Sequence, residues 1–167
     1  MDKDKLLQQL LAASDTDDGQ EIRRLLAMGA DVHGADEFGL TPLMRAALYN
    51  AHPEAIRVLV EAGGDVGARE PQYKSTALQL AANHNPNAKV IEELVAAGSD
   101  VQDVNYLGET ALLMAVNSGN DTKVIKALVR AGSDVNARDY HDRSALDYAR
   151  LLDRPYVVKL LKEAGAR

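Results

Sequence analysis

The side chains suited to acid–base, nucleophilic or metal chemistry are scattered along this chain. The four histidines, His33, His52, His84 and His141, make neither His-x-His nor His-Glu-x-x-His. Those are spacings that bring two imidazoles to one metal ion, so surface or structural roles are expected instead. Ser14-Asp15-Thr16-Asp17-Asp18-Gly19 opens like a calcium loop. Such a loop needs a carboxylate at its twelfth position, and counting from Asp15 that residue is Leu26. A polar turn is the expected role. There is no Gly-x-Gly-x-x-Gly, no Gly-x-Ser-x-Gly and no P-loop, the patterns that place phosphates or a nucleophile. The chain has no cysteine, which removes disulfides and Cys-bearing zinc sites. No catalytic residue, cofactor or metal ligand is expected.

The chemistry that the sequence does offer is contact. It holds one Phe, six Tyr and no Trp. Phe38, Tyr73, Tyr106 and Tyr140 each stand three or four residues before a Thr or Ser that is followed by Pro or Ala and then Leu. Leu40 and Leu107 lie in the same stretches, and Tyr49 and His84 follow in two of the segments that come after. Aromatic rings bring large contact area with few rotors and are common at interfaces. The alternative is that they cover local backbone and pack on one another, and the two roles are compatible.

The recurrence of these positions leads back to the elements that hold them. Thr41, Thr76, Thr110 and Ser144 are spaced by 35, 34 and 34 residues, and Gly29, Gly63, Gly98, Gly132 and Gly165 by 34, 35, 34 and 33. Such a period marks stacked repeats. Five units follow, about 1–32, 33–66, 67–101, 102–135 and 136–167. From each Thr to the closing Gly is 22 residues in the middle three units, against 21 from Ser144 to Gly165. From Gly to the next Thr is 12 residues, except 13 from Gly63 to Thr76, which puts an extra residue around Arg69–Ser75. Each unit reads as two helices. Thr41-Pro42 supplies a hydroxyl cap and a Pro at the first helical position. Asn- and Gly-rich turns follow, as in Asn83–Asn87 and Asn117–Asp121. The second helices repeat an apolar pattern, Ile56, Leu59, Val60; Ile91, Leu94, Val95; Ile125, Leu128, Val129, and end at the recurring Gly.

The pattern resembles the ankyrin repeat over essentially the whole chain. It is carried by Gly39-Leu40-Thr41-Pro42-Leu43, Gly108-Glu109-Thr110-Ala111-Leu112, Ala30-Asp31-Val32 and Ala131-Gly132-Ser133-Asp134-Val135-Asn136-Ala137. The one-residue-longer middle units resemble a variant found in bacterial ankyrin proteins. The resemblance implies an all-α solenoid of five helix-turn-helix units joined by hairpin-like loops, with caps at both ends. It also implies a non-catalytic module that binds another protein through hairpin tips and the concave helix surface. The family's His after Thr-Pro-Leu is replaced by Met44, Gln79, Leu113 and Asp147, so its bonds between repeats are not carried over. The turn Gly is missing from Glu70–Ser75 and replaced by Asp142 in the last unit, so distortion is expected at both turns. Leu128-x5-Asp134-Val135-Asn136 resembles an asparagine-hydroxylation sequence of the family, although Asn136 also belongs to the repeat turn.

A stack needs polar outer faces on its end units. Lys162 stands in the register of Val60, Val95 and Val129, with Val158 and Leu161 inward. The opening helix mixes Lys3, Lys5, Gln8 and Gln9 with Leu6, Leu7, Leu10 and Leu11. A complete array, a single domain over 1–167 and a monomer are expected. The net charge of −6 disfavours a general nucleic-acid binder, whose affinity rests on cations. No apolar run approaches a membrane span of about 20 residues, and the first residues carry no secretion signal. A cytoplasmic location is expected, or a periplasmic one if a leader has been removed. Partner contact is expected at Phe38, Leu40, Tyr49, Tyr73, His84, Tyr106, Leu107 and Tyr140, with Glu109, Asn117 and Ser118 among the positions that vary between copies. The competing reading is a small regulatory or stress-response subunit with an unrecognised catalytic or metal site.

Overall fold

The computed structural model describes residues 2–167; Met1, the first residue of the expected first unit, lies outside them. The described residues form helices α1 Lys3–Thr16, α2 Gln20–Ala27, α3 Pro42–Tyr49, α4 Pro53–Glu61, α5 Ala77–His84, α6 Ala88–Ala96, α7 Ala111–Asn117, α8 Thr122–Arg130, α9 Ala145–Leu151 and α10 Pro155–Glu163. Each odd-numbered helix pairs with the next even-numbered one. The odd helices stack in one layer, and α2, α4, α6 and α8 stack in a second. Among the described residues there is no strand, and one isolated bridge joins Arg138 to Ser144. The architecture is the expected all-α stack.

Apart from α1, these helices run seven to nine residues, too short to persist alone in water. Their ends and their burial must therefore hold them. The hydroxyls of Thr41, Thr76, Thr110 and Ser144 accept from the amides of Met44, Gln79, Leu113 and Asp147, caps that contribute about 1 kcal/mol each. The five recurring glycines close the second helices at φ between 90° and 98°, the left-handed conformation that stops a helix and costs glycine least.

Ala46, Ala47, Ala81, Ala82, Ala115 and Ala149 are fully buried, so the first helices can approach closely. The second helices depart from the expected stripe. Ile56, Leu59, Ile91, Leu94, Ile125 and Leu128 are buried, but Val60, Val95 and Val129 are only half-buried. The residue before each Ile is buried instead: Ala55, Val90 and Val124. A row at i, i+3 and i+4 traces one line of contact, whereas each middle helix touches its own partner and a neighbour on either side. In α10 only Val157 and Leu161 are buried, and Val158, expected inward, is half-buried. The outermost helix has no further unit to cover it. Ser14–Gly19 is a turn only in its second half, because α1 continues through Thr16. There Asp17 Oδ1 accepts from Gly19 N at 2.7 Å and Glu21 N at 3.0 Å, and Asp15 pairs with Arg45.

Neighbouring units are tied by a ladder of side-chain donors at the turn within each helix pair. Asn50 Nδ2 donates to Ser14 O and Asp17 O at 2.9 and 2.8 Å. Asn85 Nδ2 donates to Ala47 O and Asn50 O at 3.0 and 2.8 Å. Asn120 Nδ2 donates to Ala82 O and Asn85 O at 2.7 and 3.2 Å, and Arg154 donates to Asn120 O at 2.6 Å. Each rung satisfies carbonyls that a helix end leaves without a partner. In the last unit Tyr148 donates to the Asp139 carboxylate. Burial and then that carboxylate push the phenol up to about 12. Burial alone would raise Asp139, but the Tyr148 hydroxyl and the amides of Arg143 and His141 outweigh it and hold the carboxyl below its ordinary value.

Candidate protein-binding groove

The hairpins before α3, α5, α7 and α9 are each built on one side chain. Asp36 Oδ1 accepts from Phe38 N and Leu40 N, both at 2.9 Å. Asn105 Oδ1 accepts from Leu107 N and Glu109 N, again at 2.9 Å. Asp139 Oδ1 accepts from His141 N and Arg143 N at 2.8 and 3.0 Å. Glu70 takes the same place in the hairpin with the extra residue. Its Oε1 accepts from Tyr73 N and Ser75 N at 2.7 and 3.0 Å, and its Oε2 from Gln72 N at 2.6 Å. The longer side chain spans the longer loop. The distortion expected at the two turns without Gly is not found. Lys74 and Asp142 adopt φ of 58° and 61°, close to the 77° and 75° of Gly39 and Gly108, because the anchored hairpin fixes the backbone.

The tips before α5, α7 and α9 join edge to edge. Tyr106 N donates to Tyr73 O at 2.6 Å and Tyr140 N to Leu107 O at 3.0 Å. The Tyr140 ring lies against Gly108, where a Cβ would stand 2.6 Å from Tyr140 Cδ1. Phe38, Tyr106 and Tyr140 remain 70, 68 and 74% exposed.

Between these tips and the first helices of three consecutive pairs runs a groove of about 560 Å³. Of the sequence-expected residues, Phe38, Leu40, Tyr49, Tyr73, His84 and Leu107 line it, while Tyr106 and Tyr140 lie outside it. Leu48, Leu80 and Met114 add apolar surface from α3, α5 and α7. Glu70, Asn105, Glu109 and Asn117 supply polar atoms. Arg45 stands 5.9 Å from the Tyr49 ring centroid. Asp15 first, and Asp36 against the opposing effect of burial, hold its guanidinium more firmly protonated than usual. Sequence reasoning missed Glu70, Asn105, Leu80 and Met114. For Glu70 and Asn105 the available signal was their shared offset, with Asp36 and Asp139, seven residues after each preceding closing Gly.

The family model for ankyrin repeats in three copies matches residues 10–105 and 80–167. The chain belongs to the ankyrin-repeat family. Among curated proteins, none matches it. Ankyrin repeats are generally protein–protein interaction modules. In this ankyrin array the position after Thr-x-Leu is used differently from unit to unit. Met44 and Leu113 are buried apolar residues. Gln79 completes a capping box and donates to Asp103 O at 3.0 Å and Glu109 O at 2.9 Å in the next unit. Asp147 closes a second capping box on Ser144; the Ser144 amide and hydroxyl first, then Arg138 and Arg150, hold its carboxyl low against the effect of burial.

The opposite face of the ankyrin stack is locally basic. Lys89, Lys123, Lys126 and Arg130 gather with Glu92 along α6 and α8, a cluster that the acidic net charge conceals. All four histidines are exposed and sit on separate elements. Among the described residues no group of three His, Asp or Glu comes together as a metal-binding set, and no helix is long and apolar enough to cross a membrane.

Proposed function

We propose that the chain is a non-catalytic protein-binding module that takes a partner along the hairpin tips and the adjoining surface of the first helices. The observation that carries this reading is the groove itself, walled by exposed Phe38, Tyr49 and Tyr73 and floored by Leu40, Leu48, Leu80 and Met114. Solvent-exposed rings beside an apolar floor cost contact with water in the free protein and are relieved by a partner. The stacked helices and bonded hairpins hold these side chains in place beforehand, so little order is lost on binding.

Joint substitution of Phe38, Tyr49 and Tyr73 by Ala tests it. Affinity capture from the native host, quantified by mass spectrometry, is expected to drop at least about thirtyfold for the specific partner, the effect of losing one strong anchoring side chain. Helical circular dichroism should persist, because none of the three is in the core. Undiminished capture would place the contact surface elsewhere on the molecule.

A further inference from the structure

The groove has an electrostatic character that its apolar walls hide. Its lining includes two carboxylates, Glu70 and Glu109, and no lysine or arginine. Glu70 is used up by the hairpin, its two oxygens taking three backbone amides. Glu109 is not. It is only 8% exposed, and its contacts are the side-chain amides of Asn105 at 3.0 Å and Asn117 at 3.4 Å. Among the described residues no cation pairs with it. The other units carry Leu40, Ser75 and Arg143 at the same place before the helix cap. A carboxylate withdrawn from water normally has a cation beside it, and two neutral amides leave part of its accepting capacity open.

We propose that the groove receives a polypeptide segment bearing one lysine or arginine among apolar side chains, with the cation seated on Glu109. This rests on the groove being the binding site. The apolar neighbours of the cation would lie on Leu48, Leu80 and Met114. Its stem would run past the Tyr73 ring, whose face also favours a cation. An acidic segment would meet Glu109 with like charge and be rejected.

The probe is a random heptapeptide display library selected on the full chain, and in parallel on Glu109→Gln and on the Phe38, Tyr49, Tyr73 triple Ala variant. Peptides enriched on the unaltered chain should carry a lysine or arginine flanked by apolar residues and be lost on the triple variant. On Glu109→Gln the apolar preference should persist and the cation preference vanish. For an enriched arginine peptide, replacing arginine by citrulline should weaken binding at least about tenfold, a comparison that leaves the protein unaltered and so does not depend on how well Glu109→Gln folds. Equal binding of the arginine and citrulline peptides, with loss on the triple variant, would overturn the proposal and leave the groove standing. Enriched peptides that bind the triple variant undiminished, or no enrichment at all, would overturn both.

Discussion

Asn50, Asn85 and Asn120 do at the residue level what a periodic pattern cannot express. Each has the composition of a turn residue, and each donates twice to carbonyls of the preceding unit. Asn85 is buried and its two bonds have no aqueous substitute, whereas Asn120 is half-exposed. Asn85→Ala is therefore expected to lower the unfolding free energy by about 2 kcal/mol, the cost of leaving buried acceptors unpaired. Asn120→Ala should cost visibly less because water can enter. Urea denaturation of both variants checks the order; equal and small losses would mean that the ladder adds little to the stack. The sequence offered a partial signal here, since Asn50 and Asn85 both stand nine residues after their Thr cap, but Asn120 stands ten after Thr110. The left-handed Gly119, at φ 78°, absorbs the difference.

Hairpins and helix ends decide matters at the scale of the element. The same left-handed backbone is reached at Gly39, Lys74, Gly108 and Asp142, so glycine is preferred there without being required by the turn alone. What distinguishes one glycine from another is its surroundings. Gly108 has φ 75° and the Tyr140 ring pressed against it, while Gly132 has φ 90° and nothing within 4 Å of the place a Cβ would occupy. Gly132→Ala is expected to cost about 1 kcal/mol, the backbone strain alone. Gly108→Ala should cost about 1–3 kcal/mol more, the scale of overpacking, and should displace Tyr140. Thermal unfolding of the two variants reads the difference; equal shifts would show that Tyr140 moves aside freely. The helix starts were legible because hydroxyl caps are local chemistry. The hairpin anchors Glu70 and Asn105 were legible only as a repeated offset, because their role appears only when the loop closes around them.

Over the whole molecule, each pair of helices is held mainly by its neighbours, so stability should vary along the stack. The middle helices α5, α6 and α7 are covered on both sides, while α10 rests chiefly on α9 and buries only Val157 and Leu161. Amide hydrogen exchange is expected to be slowest in α5–α7 and fastest in α10. Uniform protection from end to end would show that the array opens as a single cooperative body. Charge is likewise uneven at this scale. The net −6 coexists with a basic cluster at Lys89, Lys123, Lys126 and Arg130 on one face and the Glu109 carboxylate in the groove on the other.

The repeat period, the helix caps, the closing glycines and the membership of the ankyrin family were all present in the sequence, because each depends on residues close together in the chain and is stated several times over. The place of the extra residue near Arg69–Ser75 was readable for the same reason. Which apolar residues are buried, which asparagines bridge units and which aromatics face a common groove depend on how one unit sits on the next. Ala55 is fully buried where Val60 is only half-buried, and Tyr140 turns to cover Gly108 while Tyr49 and Tyr73 wall the groove, because inter-unit packing sets the direction of every side chain. Spacing along one strand of sequence does not encode that direction.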